Sequence, residues 1–307
     1  MGLEPFTRGR RHMNPGTLHL IPVPIGRAAG NETGSTQQSD PATALPAPVI
    51  TLAASLDYYI AENARTARAF LKTLPLARPI QAIEIRELNE HTPAAAVHEL
   101  LEPILKGRNA GLVSEAGCPA VADPGSLLVA AAHRAGVTVF PHVGPSALLL
   151  TLMASGLNGQ RFTFSGYLPA NPKQRAEALV RLERRSAQEQ ETQLWIETPY
   201  RAQAVFETAT QSLQAQTQLV LACDLASADQ WIGSRTIAQW RAQPAQIADR
   251  LTVFALLGAA FTANFSASSA SSTSPNKQSP APPKHQNVSP GAPQHSLAGR
   301  SQRRFRP

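Results

Sequence analysis

Between residues 110 and 155, short apolar runs alternate with helical segments, and this alternation constrains the fold more than any other feature of the chain. Residues 110–114 read as a strand, EAGCPAVADPG as a Gly/Pro-rich turn, and 126–135 as a helix closed by Gly136. Residues 137–140 read as the next strand. Gly144-Pro145-Ser146 follow, then an apolar helix running to Ser155. Strands connected through helices cross over and pair in parallel, so the pattern predicts an α/β fold.

The same rhythm extends in both directions. Upstream, TLHLIPV (17–23) predicts a strand that stops at Pro24-Ile25-Gly26, residues 57–74 a helix, 82–86 a strand, and 93–106 a helix with Pro at its start. Residues 27–48, rich in Gly, Ser, Thr, Gln and Pro, have no periodicity and read as a long flexible loop. Around residues 156–160 the chain changes domain. Strands are predicted at 161–166, 193–197, 218–224 and 251–257, with helices at 172–186 and 201–213. The expectation is two α/β domains, 17–156 (with a loop insert at 27–48) and 157–260, after a flexible leader at 1–16. Residues 261–307, dominated by Ser, Pro, Gln and Ala, read as a disordered basic tail.

Charge gains meaning only once it is located. The formal net charge is +7. Lys277, Lys284, Arg300, Arg303, Arg304 and Arg306 supply six of these charges, with no Asp or Glu after Phe261. Residues 1–260 are therefore close to neutral at +1, and net charge alone gives them no strong attraction to nucleic acid. The terminal RSQRRFRP is a short basic cluster that reads first as a solubilising extension, and second as a source of salt-sensitive RNA affinity. Cys118 and Cys223 lie far apart, no Cys/His cluster has zinc spacing, and the histidines are scattered, so neither a disulfide framework nor a metal site is expected. There is no signal-peptide core and no apolar run of membrane-spanning length, which points to the cytoplasm and no membrane partner. Tyr58, Tyr59, Trp195, Trp231 and Trp240 read as core or interface residues rather than base-stacking platforms.

Open α/β sheets bind ligands beyond the carboxyl ends of their strands. Pro24–Gly26, 114–125, 143–147 and 197–200 all fall at that edge, and each combines Gly or Pro with small residues that let a ligand approach the backbone. Loops between strands and helices need Gly and Pro in any case, so the joint occurrence carries the argument. GxGxxG, GxxxxGK[ST] and GxSxG are all absent, which removes the ordinary dinucleotide loop, the P-loop and the nucleophile elbow.

These turns resemble a known family. Pro24-Ile25-Gly26, Glu62-Asn63-Ala64-Arg65-Thr66, Ser114-Glu115-Ala116-Gly117-Cys118-Pro119 with Asp123-Pro124-Gly125, and Gly144-Pro145-Ser146-Ala147 occur in the order found in the tetrapyrrole methylase superfamily. Within it, the chain most resembles the bacterial ribosomal RNA small-subunit methyltransferase I group, which methylates a ribose 2′-hydroxyl of 16S rRNA. Phe164-Ser165-Gly166-Tyr167-Leu168-Pro169 is similar to the stretch that opens that group's second domain. The similarity runs from about Gly16 to Gly258. The chain departs from the group at Arg27 (Asn in the family), at Glu115 (Asp), at Tyr200-Arg201 (His-Arg) and at Ala222-Cys223-Asp224-Leu225-Ala226 (Ala-Arg-Glu-Leu-Thr).

The resemblance implies an S-adenosyl-L-methionine-dependent methyltransferase that holds its cofactor in a cleft between two α/β domains, usually as a homodimer. RNA or a ribosomal subunit is the implied partner. A tetrapyrrole-like small molecule, or a non-catalytic RNA-binding role, are the alternatives. The implied cofactor residues are Pro24, Gly26, Ser114, Glu115, Ala116, Gly117, Asp123, Gly144, Pro145, Ser146, Thr198, Pro199 and Leu225. The turns at 114–117 and 144–147 are expected to offer N–H groups, and Thr198, Pro199 and Leu225 the adenine side. A ribose hydroxyl is a poor nucleophile, so a base or a strong orienter helps, and Glu62, Glu115 and Asp123 are the candidates. Two plainer roles compete: a local ion pair for Glu62 and an Asx turn before Pro124 for Asp123. Arg65 and Arg27 are the candidate substrate contacts. Arg68, three residues after Arg65 on the same helix face, reads first as solvated.

Overall fold

The computed structural model describes residues 14–26, 40–89 and 92–259. Residues 1–13 of the expected leader (1–16), Arg27 with most of the expected insert, and the expected tail from 261 lie outside the described residues.

The first sheet is wholly parallel, in the order β3-β2-β4-β1-β5, where β1 is Thr17–Leu20, β2 Tyr58–Ala61, β3 Glu84–Glu87, β4 Ala110–Val113 and β5 Thr138–Pro141. Buried on both faces, β2 (YYIA) and β4 (AGLV) are continuous apolar runs rather than alternating ones. Helices α1 (Pro41–Ala44), α2 (Ala47–Ser55) and α3 (Ala64–Lys72) cover one face around Val49, Tyr59, Phe70 and Leu71. Helices α4 (Ala94–Leu105) and α5 (Gly125–Arg134) cover the other around Leu18, Tyr58, Leu101 and Leu128.

Helix α6 (Ala147–Ser155) leads to the second sheet, in the order β6-β7-β10-β8-β9. Strand β6 (Phe162–Tyr167) pairs in parallel with β7 (Thr192–Glu197). The remaining pairs, among β7, β10 (Thr252–Leu257), β8 (Gln218–Cys223) and β9 (Trp231–Thr236), are antiparallel. Helices α7 (Pro172–Glu189), α8 (Pro199–Ser212) and α9 (Ile237–Ala242) cover one face, with Trp195 stacked on Phe254 at 5.2 Å between centroids. On the other face, Leu194, Val220, Ala222, Val253 and Ala255 pack with Leu152 of α6 and with Ile25 from the first sheet's loops. Helix α6, assigned to the first domain by sequence, thus packs against the second sheet.

Three sequence expectations need correction. The helix expected over 57–74 is the strand β2 followed by α3. Asn63 separates them, its side chain accepting the amides of Arg65 (2.8 Å) and Thr66 (3.3 Å) as an N-cap. A short apolar run looks alike in a strand and in a buried helix, which is why the pattern misled. The end of the expected 27–48 loop is helical, because Asp40 caps α1 and prolines sit in the first turns of α1 and α2, where their missing N–H costs nothing. Strand β9 and helix α9 escaped notice because WIGSRT is short, polar and interrupted by Gly233.

At the amino edge of the first sheet, Arg108 pairs with Asp57 (2.9 Å) and with Glu84, and its guanidinium lies 4.8 Å from the Tyr58 ring centroid. Arg78 also reaches Asp57, at 2.9 Å. Burial acts to raise the Asp57 carboxyl, but Arg108 and Arg78 outweigh it and hold it below the usual range. The hydrogen bond from Arg108 lowers Glu84, against a smaller opposing effect of burial. Depressed carboxyls add stability that is fully present above their unfolded pKa values, near 4, and is lost as pH falls through the lower folded values. The groups are about one-third exposed, so solvent screens the effect. Arg108→Met should lower Tm at pH 7 and narrow the Tm difference between pH 7 and pH 3. An unchanged difference would show that the cluster does not contribute to acid sensitivity.

Candidate active site

Strands β1 and β4 are neighbours, but β1 connects onward to β2 on one side of the sheet and β4 to β5 on the other. That divergence is a topological switch point, where α/β sheets open a crevice. The two exits are tied together. Val23 N–H donates to the Gly117 carbonyl (2.9 Å) and Gly117 N–H to the Val23 carbonyl (2.8 Å). The second sheet closes over the gap, and a cavity of about 410 Å³ remains between the halves, within the usual range for a small-ligand site.

Its walls come from both halves. The first contributes Ile25, Gly26, Glu62, the 114–118 turn, Val121, Ala122, Asp123, Ser146, Ala147 and Leu148. The second contributes Phe164, Tyr167, Ile196, Glu197, Ala222, Leu225 and Leu251–Val253. Apolar side chains make most of the second wall. Glu62, Glu115, Asp123 and Glu197 are the ionisable carboxyls on the lining, which has no Lys, Arg or His among the described residues. An acidic, partly apolar pocket suits a ligand with an aromatic ring and cationic centres. S-adenosylmethionine, with its adenine, sulfonium and ammonium, has that chemistry.

The loop after β4 is held by Asp123. Its carboxylate accepts the amide of Ala120 through both oxygens (2.9 Å each) and that of Gly125 (2.7 Å). Burial raises this carboxyl, while the amides of Gly125 and Ala120 pull it down. Ala120 (φ 66°) and Ala122 (φ 62°) both sit in the left-handed region, which costs alanine roughly 1–2 kcal/mol each. Asp123 lines the cavity and at the same time shapes this loop, the turn role set against that of a base.

The other expected contacts fall into two groups, on the lining and off it. Glu62 lies just past the end of β2, before Asn63 begins α3, which brings it to the cavity. Gly117 contributes no free N–H, since Val23 already accepts it. Ser146 caps α6, accepting the Leu149 amide at 3.5 Å, and also lines the cavity. Pro24, Gly144, Pro145, Thr198 and Pro199 are not among the lining residues. A Cβ on Gly144 would fall 2.2 Å from the Pro22 Cβ, so this glycine serves the packing of the 142–146 segment on the exit of β1. Thr198 and Pro199 begin α8, and Glu197 before them is the residue that faces the cleft. Glu197 also accepts the Thr198 amide (2.8 Å) and lies 3.1 Å from Arg201. Arg65 is exposed in the first turn of α3 and is not on the lining. Arg27 lies outside the described residues.

Gly26 is a place where the halves approach closely. At φ 91°, a Cβ here would meet the Leu225 carbonyl oxygen at 2.8 Å. Sequence reasoning placed the 197–200 turn at this edge but did not name Phe164, Tyr167, Ile196, Ala222 and Val253 as site residues. Only alternation along the second-domain strands, combined with knowledge of which face meets the first domain, would have found most of them.

No protein-family model matches the chain. Its relatives are informative. Over 226 residues it is 30% identical to the ribosomal RNA small subunit methyltransferase I of Haemophilus influenzae, covering 74% of this chain and 72% of that one. Over 210 residues it is 33% identical to the Synechocystis protein of the same name, covering 68% and 67%. The Xylella fastidiosa (strain Temecula1) protein of that name is 34% identical over 197 residues, and the alignment spans 64% of each chain. The chain belongs to the ribosomal RNA small subunit methyltransferase I family. Its fold is that of the tetrapyrrole methylases. The structure of the methyltransferase CobJ shares it at 19% identity and a TM-score of 0.50, covering 80% of this chain and 95% of that one. The conserved hypothetical protein APE0931 of Aeropyrum pernix shares it at 16% and 0.53, covering 80% and 85%.

The two glycines should separate experimentally. A methyl added at Gly117 (φ 76°) would make only ordinary contacts, 3.5 Å from the Ile25 Cγ2, so Gly117→Ala should cost about 1–2 kcal/mol from backbone strain alone. Gly144→Ala must displace Pro22 or its own segment, and should lower Tm further than Gly117→Ala in thermal melts. A Gly144→Ala protein as stable as the parent would remove the packing role assigned to this residue.

Proposed function

We propose that the chain transfers a methyl group from S-adenosylmethionine to a ribose 2′-hydroxyl of small-subunit ribosomal RNA. The supporting observation is the placement of charge. The cavity lining is acidic, whereas Arg65, Arg68 and Lys72 are exposed on α3, which begins two residues after Glu62. This division suits a nucleotide whose sugar enters the cleft while its phosphates stay outside on the helix. A tetrapyrrole intermediate carrying several carboxylates would instead meet Glu62, Glu115, Asp123 and Glu197. The relatives, named for action on ribosomal RNA, support the same substrate class. The cytoplasm is the proposed setting. Among the described residues no helix is long and apolar enough to cross a membrane.

When bound, S-adenosylmethionine supplies a methyl carbon on a good leaving group, so positioning carries most of the catalysis. The apolar wall of Phe164, Ile196, Ala222, Leu225 and Val253 accommodates the adenine and limits water. The carboxylates face the cationic centres. Glu62, on the opposite wall from Ile196 and Leu225, accepts the proton that the hydroxyl loses as its oxygen takes the methyl.

The protein acts as a homodimer. Helix α6, ALLLTLMAS, has no charged residue. One side is covered by the second sheet, while Leu149 and Met153, four residues apart, are 51% and 79% exposed. Phe140 on the edge strand β5 and Val143 just after it are 52% and 75% exposed. A helix apolar all round requires cover on both sides, and a second copy supplies the same surface in return.

Purified protein should bind S-adenosylmethionine saturably in calorimetry, competed by S-adenosylhomocysteine, and should transfer tritiated methyl to small-subunit rRNA. Glu62→Gln should retain cofactor binding while kcat falls about 10²-fold or more, the range for loss of a general base. Absence of any cofactor heat would remove the methyltransferase reading. In analytical ultracentrifugation, Met153→Glu should shift the protein from dimer to monomer, and a parent protein already monomeric at micromolar concentration would exclude the dimer.

A further inference from the structure

Strand β6 carries an irregularity whose consequence is local and specific. Phe164 pairs with Leu194, but the next pair is Tyr167 with Ile196, so three steps on β6 match two on β7. The extra residue falls at Ser165-Gly166, and Gly166 has φ 68°. A Cβ on Gly166 would meet nothing within 4 Å, so glycine is needed there for its backbone conformation and not for space. This is the signature of a glycine bulge, a device that re-aims a side chain. Under strict alternation Tyr167 would face away from Phe164. The bulge returns it to the same side, where both line the cleft with Ile196.

Tyr167 is nonetheless 55% exposed, so its ring stands at the mouth of the cleft. Tyr200, in the first turn of α8, is 75% exposed. Glu197, Glu62 and Tyr200 all act on the Tyr167 phenol in the same direction as its burial, raising its pKa, so the four groups share one neighbourhood. Large exposed aromatic rings at the rim of a cleft call for a planar partner. Glu197 is buried and paired with Arg201, but Glu62 beside the ring disfavours a phosphate here and leaves a flat, uncharged ring as the matching ligand.

We propose that Tyr167, set by the Gly166 bulge and flanked by Tyr200, is a stacking platform for a nucleobase of the substrate RNA at the mouth of the cleft. The proposal rests on the RNA reading above and adds a subsite to it. The base lies against the ring, which positions the adjoining ribose toward Glu62. A double-stranded segment cannot present a base in this way, so the substrate is unpaired or opened at this nucleotide.

The test measures binding of a 12-nucleotide single-stranded oligoribonucleotide by the full-length protein, and of a base-free ribose-phosphate chain of the same length, using fluorescence anisotropy. The parent should prefer the base-bearing chain. Tyr167→Ala should weaken that binding about 5- to 100-fold, the range that one base–aromatic stack corresponds to, and should abolish the preference over the base-free chain. Tyr167→Phe should restore both. Because Tyr167 is largely exposed, thermal melts of the variants should match the parent, and Gly166→Ala, which disturbs only the bulge, provides a second route to the same loss. If Tyr167→Ala binds both chains as the parent does, the platform is overturned while the RNA reading stands. If the parent binds neither chain nor small-subunit rRNA, the RNA reading fails and the platform loses its ligand with it.

Discussion

The packing of α6 on the open face of the second sheet is the contact on which the rest depends. That sheet has α7, α8 and α9 on one side only, and Leu194, Val220, Ala222, Val253 and Ala255 on the other need cover. Leu152, with Ala147, Leu148 and Leu150 beside it, provides that cover from a helix that begins at the carboxyl edge of the first sheet. Joining the halves there, and again where Gly26 meets the Leu225 carbonyl, leaves the strand ends between the two contacts unfilled. The cavity is that unfilled space. Its two walls are brought together by hydrophobic burial that involves none of the proposed catalytic groups.

The wall from the first domain is stiffened at some cost. Two alanines in left-handed conformations, two backbone amides donating to one carboxylate and the Val23–Gly117 bridge all converge on residues 114–125. Strain persists only where surrounding contacts over-determine it, and it gathers at ligand sites. A site whose work is positioning needs a wall that does not yield when the ligand binds. Asp123 contributes to that stiffness, while Glu62, on the same wall, stands outside the loop.

Much of this architecture was legible in the sequence because parallel α/β folds punctuate themselves. Gly136 closes α5 at φ 70°, as its place after a helical pattern suggested. The turns at 24–26, 114–125 and 144–147 fell at the expected sheet edge, since any strand-to-helix connection there needs small residues. The reading failed where one segment has two local solutions. YYIA followed by a helix looks like one longer helix until Asn63 is seen as a cap. Gly144 looks like a ligand-approach glycine until Pro22 is seen against it. Scattered histidines gave no hint that His19 and His142 lie 3.1 Å apart across neighbouring parts of the first sheet.

The sequence by itself determined the alternation of strands, helices and turns, the near neutrality of the first 260 residues and the resemblance to a methyltransferase family. All of these depend on residue type and short-range spacing. Only the tertiary structure decided which side chains face the cleft. Facing in a strand follows from register, and one inserted residue reverses it, as Ser165-Gly166 does for Tyr167. Which carboxylate holds a loop was likewise decided by backbone amides folded back onto Asp123, and which ones line the cleft by the second sheet closing over the first. Neither is written in the residues beside Glu62 or Asp123.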